Sequence, residues 1–345
     1  MGKHRKCPNK QNTSKSKTPG QDGVGGNTKP SSPSPPPVIT NSGWTRPPNI
    51  SPKFNLLLRK DIGDLTVAHL NVERIGRFKR KELGDILSKF DIDCLGIVEH
   101  QLGSSDYDEN PSTTRVGYKS LLIKGYKVAS KHRDRASGGV AWYWKNDLNV
   151  EIWENSSLPF NLTEAGRERC WIKICGISVP FALGVAYMPV ETPNDINGEK
   201  YQDILDTLTL DSNSLHEEGT ISFIYGDLNA HVGTPAEDPL GIEGNKPGIG
   251  HNGHRLLAWL KFHSKVLVNT QPTTEGLWTY QSSNGKTLSV LDYMICNERH
   301  LPYVKGLVID DNREATTLNN DINFNDIYQK SGLSKSSMAD TKAKR

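Results

Sequence analysis

Apolar residues dominate residues 65–72 and then recur at helical spacing through 79–90, where Leu83, Ile86, Leu87 and Phe90 share one face. A strand followed by an amphipathic helix is the expected result. Residues 93–99 form a short apolar run that ends in a carboxylate, Glu99. Strand-like runs follow at 126–130, 138–144, 170–175 and 179–187, with no helical period between them. The spacing then predicts a helix over 199–210, a strand over 220–225 that opens into Gly226-Asp227-Leu228-Asn229, and a helix over 252–263. Strands at 290–296, 304–309 and 322–328 complete the pattern. Two βαβ-like halves rich in antiparallel strands predict an α/β fold, a four-layer sandwich of two packed mixed β-sheets flanked by helices.

Composition changes the picture mainly at the ends. Residues 1–54 hold ten of the twenty prolines among Gly, Ser, Thr, Asn and Lys. Such a segment has almost nothing to bury and is expected to be a disordered basic leader. Residues 331–345 read as a similar basic tail, leaving 55–330 as the folded domain. The net charge of +3 divides into +7 for residues 1–50, +3 for 331–345 and −7 between them. No run approaches the roughly 18 apolar residues of a membrane span, and the N-terminus lacks the apolar core of a signal peptide. Five scattered cysteines without a CxxC pair read as free thiols rather than a disulfide framework or a zinc site. An intracellular protein, nuclear or cytoplasmic, away from membranes, is expected; composition says nothing about protein partners.

Single polar residues sit where apolar strands end. Asn71 follows Val67-Ala68-His69-Leu70, Glu99 closes its run, Tyr187 ends another, and Asp227 and Asn229 follow Ile221–Tyr225; Asp292 interrupts Val290-Leu291-Asp292-Tyr293-Met294-Ile295. A carboxylate within so apolar a strand is costly unless it is paired, hydrogen-bonded or bound to a metal. Adjacent strands bring their ends together, so these residues are expected to share one site. Oxygen ligands without a nucleophilic Ser or Cys motif suit a hard cation and a phosphate.

The ordered set of motifs resembles the endonuclease/exonuclease/phosphatase superfamily, in particular the apurinic-type endonuclease domain of LINE retrotransposons and their domesticated relatives. The resemblance covers roughly residues 62–328. It rests on Leu70-Asn71-Val72, Gly96-Ile97-Val98-Glu99, Ser137-Gly138-Gly139-Val140, Tyr187-Met188-Pro189, Gly226-Asp227-Leu228-Asn229-Ala230-His231, Asn252-Gly253, Trp278-Thr279-Tyr280 and Leu291-Asp292-Tyr293. It implies a DNA-directed, metal-dependent phosphodiesterase using Mg²⁺, with Mn²⁺ as a substitute. By the same resemblance Glu99 would be the main metal ligand, joined by Asp321, with Asn71 and Glu73 supporting metal or phosphate. Tyr187 would contact the scissile phosphate, Asp227 would activate water, Asn229 would stabilise the transition state, and Asp292 would orient a histidine.

Two positions depart from the family pattern. Ile322 follows Asp321 where a catalytic histidine is expected, and no histidine follows His300. Loss of a general acid/base lowers rates by about 10²–10⁴-fold, so impaired catalysis is expected. Glu73 stands where nuclease relatives often carry Asp, a smaller change. Two alternatives stay open: an inactive nucleic-acid- or protein-binding remnant of the same fold, and a phosphatase or phosphodiesterase for a small phosphorylated substrate. The basic tails would supply the salt-sensitive phosphate attraction that an acidic domain lacks.

Overall fold

The computed structural model describes residues 64–102, 115–116, 119–132, 138–155, 168–176, 179–192, 198–243, 245, 247–282, 287–311 and 326–331, with backbone alone at 115–116 and 326–331. In chain order the elements are β1 (Leu65–Asn71), α1 (Arg77–Lys89), β2 (Cys94–Val98), β3 (Arg115–Val116), β4 (Tyr126–Lys131), β5 (Val140–Lys145), β6 (Val150–Trp153), β7 (Arg169–Ile174) and β8 (Phe181–Tyr187). Then come α2 (Glu199–Glu217), β9 (Ile221–Asp227), α3 (His251–Phe262), β10 (Lys265–Leu267), β11 (Thr274–Glu275), β12 (Tyr280–Gln281), β13 (Leu288–Ser289), β14 (Asp292–Asn297), β15 (Val304–Ile309) and β16 (Asp326–Ser331). Among the described residues one sheet runs β11-β15-β16-β1-β2-β5-β4-β3 and the other β10-β14-β9-β8-β7-β6, with β12 and β13 pairing separately. Both large sheets are mixed: β1–β2 and β8–β9 are parallel, whereas β2–β5, β7–β8 and β9–β14 are antiparallel.

The alternation of side chains along each strand sets the layers. On β1, Leu65 and Val67 join Cys94, Val98, Trp142, Val185, Phe223, Tyr225 and Met294 in the core between the sheets. Ala68 and Leu70 point the other way, onto Leu83, Ile86 and Leu87 of α1. The outer face of the second sheet, through Ala182, Ala186, Ile224 and Ile295, is covered by Ile204, Leu205 and Leu208 of α2 and Leu256, Leu257 and Leu260 of α3. The order is therefore helix, sheet, sheet, helices: the four-layer sandwich expected from the sequence. Gly96 lies opposite Trp142 in the β2–β5 ladder, and a Cβ there would stand 3.0 Å from the indole ring. The space it leaves lets Trp142 reach across the gap, where its Nε1 donates to Cys170 O at 3.1 Å and its ring meets Tyr225 edge-on.

Six short strands, β3, β6 and β10 to β13, are absent from the sequence expectation, and three expected elements differ in extent or placement. The helix expected over 199–210 runs on to Glu217 because its buried face continues through Asp211, Ser212 and Leu215. Asp211 breaks the apolar period in the sequence, yet it is fully buried and accepts from Arg169 Nη2 at 3.1 Å and from Trp171 Nε1 at 2.9 Å, with Arg169 Nε as a further donor. Asp292 opens β14 instead of interrupting a strand over 290–296. The last strand is described as β16, and residues 322–325 of the expected 322–328 lie outside the described residues.

The Arg169–Asp211 pair ties β7 to α2 and fixes that helix on its sheet. Removing one partner of a buried ion pair leaves an uncompensated charge and costs about 3–5 kcal/mol. Asp211→Ala should therefore lower the unfolding free energy in urea by about that amount; a loss below about 1 kcal/mol would show that the pair behaves as a surface bridge does.

Candidate active site

Because β1 and β2 run parallel, as do β8 and β9, their carboxyl ends gather on one edge of the sandwich, where α/β sheets commonly bind ligands. Asn71 ends β1, Asp227 ends β9 and Tyr187 ends β8 in register with Asp227. Glu99 follows β2 directly. The sequence makes this end polar after apolar runs: Leu65 and Val67 face the inter-sheet core, and the same stripe of β1 then carries His69 and Asn71.

Asn71 joins the two sheets. Its Nδ2 donates to Asp227 Oδ2 at 2.9 Å, and its Oδ1 accepts the Glu73 amide at 3.0 Å. The other Asp227 oxygen, Oδ1, accepts the Asn229 amide at 3.2 Å. Asn229 Nδ2 donates to Met188 O at 2.9 Å, while Asn252 Nδ2 reaches both Pro189 O and Asn229 O at 3.2 Å, which holds the turn after β9 against the turn after β8. The loops after β1 and β2 are joined in the same way, by Arg74 N to Glu99 O at 2.7 Å and Ile75 N to His100 O at 3.0 Å. Lys79 Nζ donates to Val72 O and Glu73 O at 2.7 and 2.9 Å.

Asn71, Glu73, Glu99, Asp227, Asn229, Tyr280 and Leu291 line a pocket of about 270 Å³. The chain thus brings five of the residues expected at the site to one cavity. Tyr187 stands beside Asp227 in the ladder, half-buried, without lining the pocket. Asp292 is fully buried, paired with Asp227 in the β9–β14 ladder. Its backbone is fixed by Thr279 Oγ1, which accepts the Asp292 amide at 3.0 Å, and by Asn269 Nδ2, which donates to Asp292 O at 3.2 Å. Asp321 and Ile322 lie outside the described residues. Tyr280 and Leu291 are lining residues that the site reading missed; the Thr279-Tyr280 motif was the available signal for the first. His69 was missed as well. It is fully buried, and its Nδ1 lies 3.6 Å from Asp292 Oδ1.

Backbone strain collects here. Glu73, Arg74, Glu99, Gln101 and Asn229 all hold positive φ, between 36° and 76°. Non-glycine residues rarely adopt that region, and such strain persists only where surrounding contacts enforce it. The electrostatics are also unfavourable in the isolated protein. Burial, and then the charge of Glu99, push the Asp227 carboxyl up to about 7, against the partial relief given by Asn71 and the Asn229 amide. Burial pushes the His69 imidazole down to about 3, so the ring is neutral. Among the described residues no three His, Cys, Asp or Glu side chains form a closed metal cage. Three carboxylates, Glu73, Glu99 and Asp227, beside two carboxamides line an open, hard-oxygen pocket instead.

No protein-family model matches the chain. Craniofacial development protein 2 of Bos taurus is 32% identical over 246 residues, 69% of this chain, and that of Tragulus javanicus is equally similar. The match spans 36% and 37% of those proteins, so the chain covers little more than a third of their length. Among solved structures, the endonuclease domain of TRAS1, a telomere-specific non-LTR retrotransposon, superposes with a TM-score of 0.54 at 15% identity, over 79% of this chain and all of that domain. The catalytic domain of Xenopus laevis APE2 gives 0.56 at 16% identity over 78% of this chain and 93% of that domain. The AP endonuclease LMAP of Leishmania major gives 0.57 at 13% identity over 78% and 88%. The chain has the endonuclease/exonuclease/phosphatase fold.

A carboxyl whose folded value lies above its ordinary range opposes folding once it ionises. For Asp227 that opposition begins as pH rises through about 4, grows, and is complete above about 7. In metal-free buffer at pH 8, Asp227→Asn should raise the unfolding free energy by about 1–3 kcal/mol, the lost hydrogen bonds to the charged form offsetting part of the relief. A variant less stable than the parent would show that the pocket does not strain Asp227.

Proposed function

We propose that this endonuclease/exonuclease/phosphatase-fold chain is a metal-dependent phosphodiester hydrolase of the endonuclease type, directed at DNA and derived from a retrotransposon. The observation that carries the reading is the Asn71–Asp227 bond, which presents a buried carboxylate of high proton affinity to a pocket shared with Glu99. A buried carboxylate held beside the pocket can accept a proton from water. Both Asp227 oxygens are tethered, so the carboxylate is already oriented when water arrives.

The pocket fits a divalent cation. Glu99 and Asp227 crowd negative charge that no lysine or arginine among the described lining residues offsets, and the lining oxygens are hard donors. Mg²⁺ commonly uses one or two carboxylates and leaves its other positions to water and phosphate, which an open pocket allows. Glu99 would hold it, and Asn71 and Glu73 would support the metal or the phosphate. When bound, the ion supplies charge neutralisation at the phosphoryl oxygens. The remaining roles belong to the chain. Asp227 takes the proton of the attacking water, Asn229 offers its amide to the developing charge, and Tyr187, in register with Asp227, contacts the scissile phosphate. Asp321 is assigned to the same metal from the sequence alone.

A basic ridge supports DNA as the substrate. Immediately after the pocket loop, Arg74, Arg77, Lys79, Arg80 and Lys81 occupy the approach to α1 and its first turns, where the helix dipole disfavours positive charge, and the first turn has no acidic residue. A groove of about 440 Å³ lies between Arg77, Arg80, Lys81 and Lys124. Positive charge kept at a costly position suits a polyanion. The endonuclease domain of TRAS1, from a retrotransposon, and the AP endonuclease LMAP share the fold. The rival reading, a non-cleaving remnant, is favoured by Ile322 at the expected histidine position.

Supercoiled-plasmid nicking decides between them. The chain should nick in Mg²⁺, lose the activity in EDTA, and fall by about 10²–10⁴-fold in Asp227→Ala. Arg77→Glu combined with Lys81→Glu should weaken plasmid binding most at low salt and reduce the slope of log affinity against log salt by about 2. Plasmid binding without Mg²⁺-dependent nicking would establish the remnant. Equal nicking by the Asp227→Ala protein would assign the activity to a contaminant.

A further inference from the structure

The inward stripe of β1 changes character at His69. Leu65 and Val67 continue the apolar core between the sheets, and a leucine at 69 would extend it. Instead the chain buries an imidazole completely, and neither ring nitrogen makes a hydrogen bond to a described residue. Such a burial is unfavourable for folding, because the ring loses its hydration without gaining a bonded partner. The polar group that His69 faces is Asp292, also fully buried, with 3.6 Å between Nδ1 and Oδ1.

The arrangement repeats the one at the pocket, one step deeper. His69 and Asn71 lie two residues apart on the same face of β1, and Asp292 and Asp227 are direct partners in the β9–β14 ladder. Asn71 crosses the gap between the sheets to Asp227, and His69 crosses the same gap to Asp292. The main chain of Asp292 is held by Thr279 and Asn269, and its carboxyl is the part of the residue that faces His69. A neutral imidazole has one N–H donor and one acceptor, enough to hold one carboxyl oxygen after a small side-chain rotation.

We propose that His69 is a positioning residue for the active site: it holds the Asp292 carboxyl across the gap between the sheets, and through Asp292 it sets the surroundings of Asp227. The catalytic part of this role rests on the reading of the pocket as a phosphodiesterase site; the pairing does not. The stripe at 69 therefore answers to catalysis rather than to folding, and the two demands separate in a variant.

Three variants of the full chain test it: His69→Leu, His69→Asn and Asp292→Asn. His69→Leu, which continues the apolar stripe, should resist urea at least as well as the parent, yet nick with kcat lowered about tenfold or more and KM for plasmid unchanged. His69→Asn, which keeps a donor on a shorter side chain, should recover part of that loss. A purely structural histidine predicts the reverse, lower stability with unchanged kcat per folded molecule, and that result would overturn the proposal. The second readout needs no activity. In ¹⁵N-histidine spectra the His69 ring resonances should move in Asp292→Asn, and a ring that does not respond refutes the pairing whether or not the chain cuts DNA. A ring that responds in a chain without nicking activity would overturn the phosphodiesterase reading and, with it, the catalytic role, while the pair would stand.

Discussion

One hydrogen bond organises the polar edge of this protein: Asn71 Nδ2 to Asp227 Oδ2, at 2.9 Å, between the ends of strands in two different sheets. Each sheet alone would present one half of a site. The bond requires that the sheets pack at a fixed separation, and that separation is set by the apolar stripes behind it, from Leu65 and Val67 on β1 to Phe223 and Tyr225 on β9. It also requires space for the indole of Trp142, which crosses the gap because position 96 is glycine. The hydrophobic core thus does two things at once: it stabilises the domain, and it brings two strand ends within hydrogen-bonding distance.

What the core stabilises, the edge partly gives back. Left-handed backbone at Glu73, Glu99 and Asn229 and a buried carboxylate next to a second one all oppose folding. The same groups line one pocket. Five of the seven described non-glycine residues with positive φ lie in these loops, and strain gathered with charge repulsion at one cavity is the pattern of a site whose cost is met by a ligand. The basic start of α1 belongs to the same logic, since its charges oppose the helix dipole and favour an anionic partner.

Much of this was legible in the chain. Strand and helix periods gave the four layers, and single polar residues closing apolar strands pointed to Asn71, Glu99, Asp227 and Asn229, which meet around one pocket. The failures have physical causes. Asp211 hid the second half of α2, because a buried carboxylate paired with Arg169 reads as a break in the apolar period. Tyr280 and Leu291 lie inside the Trp278-Thr279-Tyr280 and Leu291-Asp292-Tyr293 motifs, but a tyrosine and a leucine there carry no metal-ligand chemistry that singles them out. The net −7 of residues 51–330 concealed the basic ridge, since a sum cannot show that Arg74, Arg77, Arg80 and Lys81 lie together. His69 read as one more position in an apolar strand. The C-terminal motif, with Ile322, offers no imidazole, whereas the fold places one beside Asp292 from β1, a relation that spans more than 200 residues of sequence.

On the proposed function, the pocket's carboxylates are arranged for a divalent cation. A ligand that binds only the folded chain raises its stability in proportion to the logarithm of its concentration, by about 2.7 kcal/mol at a hundred times its dissociation constant. Urea unfolding at increasing Mg²⁺, with ionic strength held constant, reads this directly. The parent chain should gain stability with Mg²⁺, and Glu99→Gln should lose that gain while remaining folded. A parent chain indifferent to Mg²⁺, or a gain that Glu99→Gln retains in full, would show that the pocket does not bind the ion through Glu99.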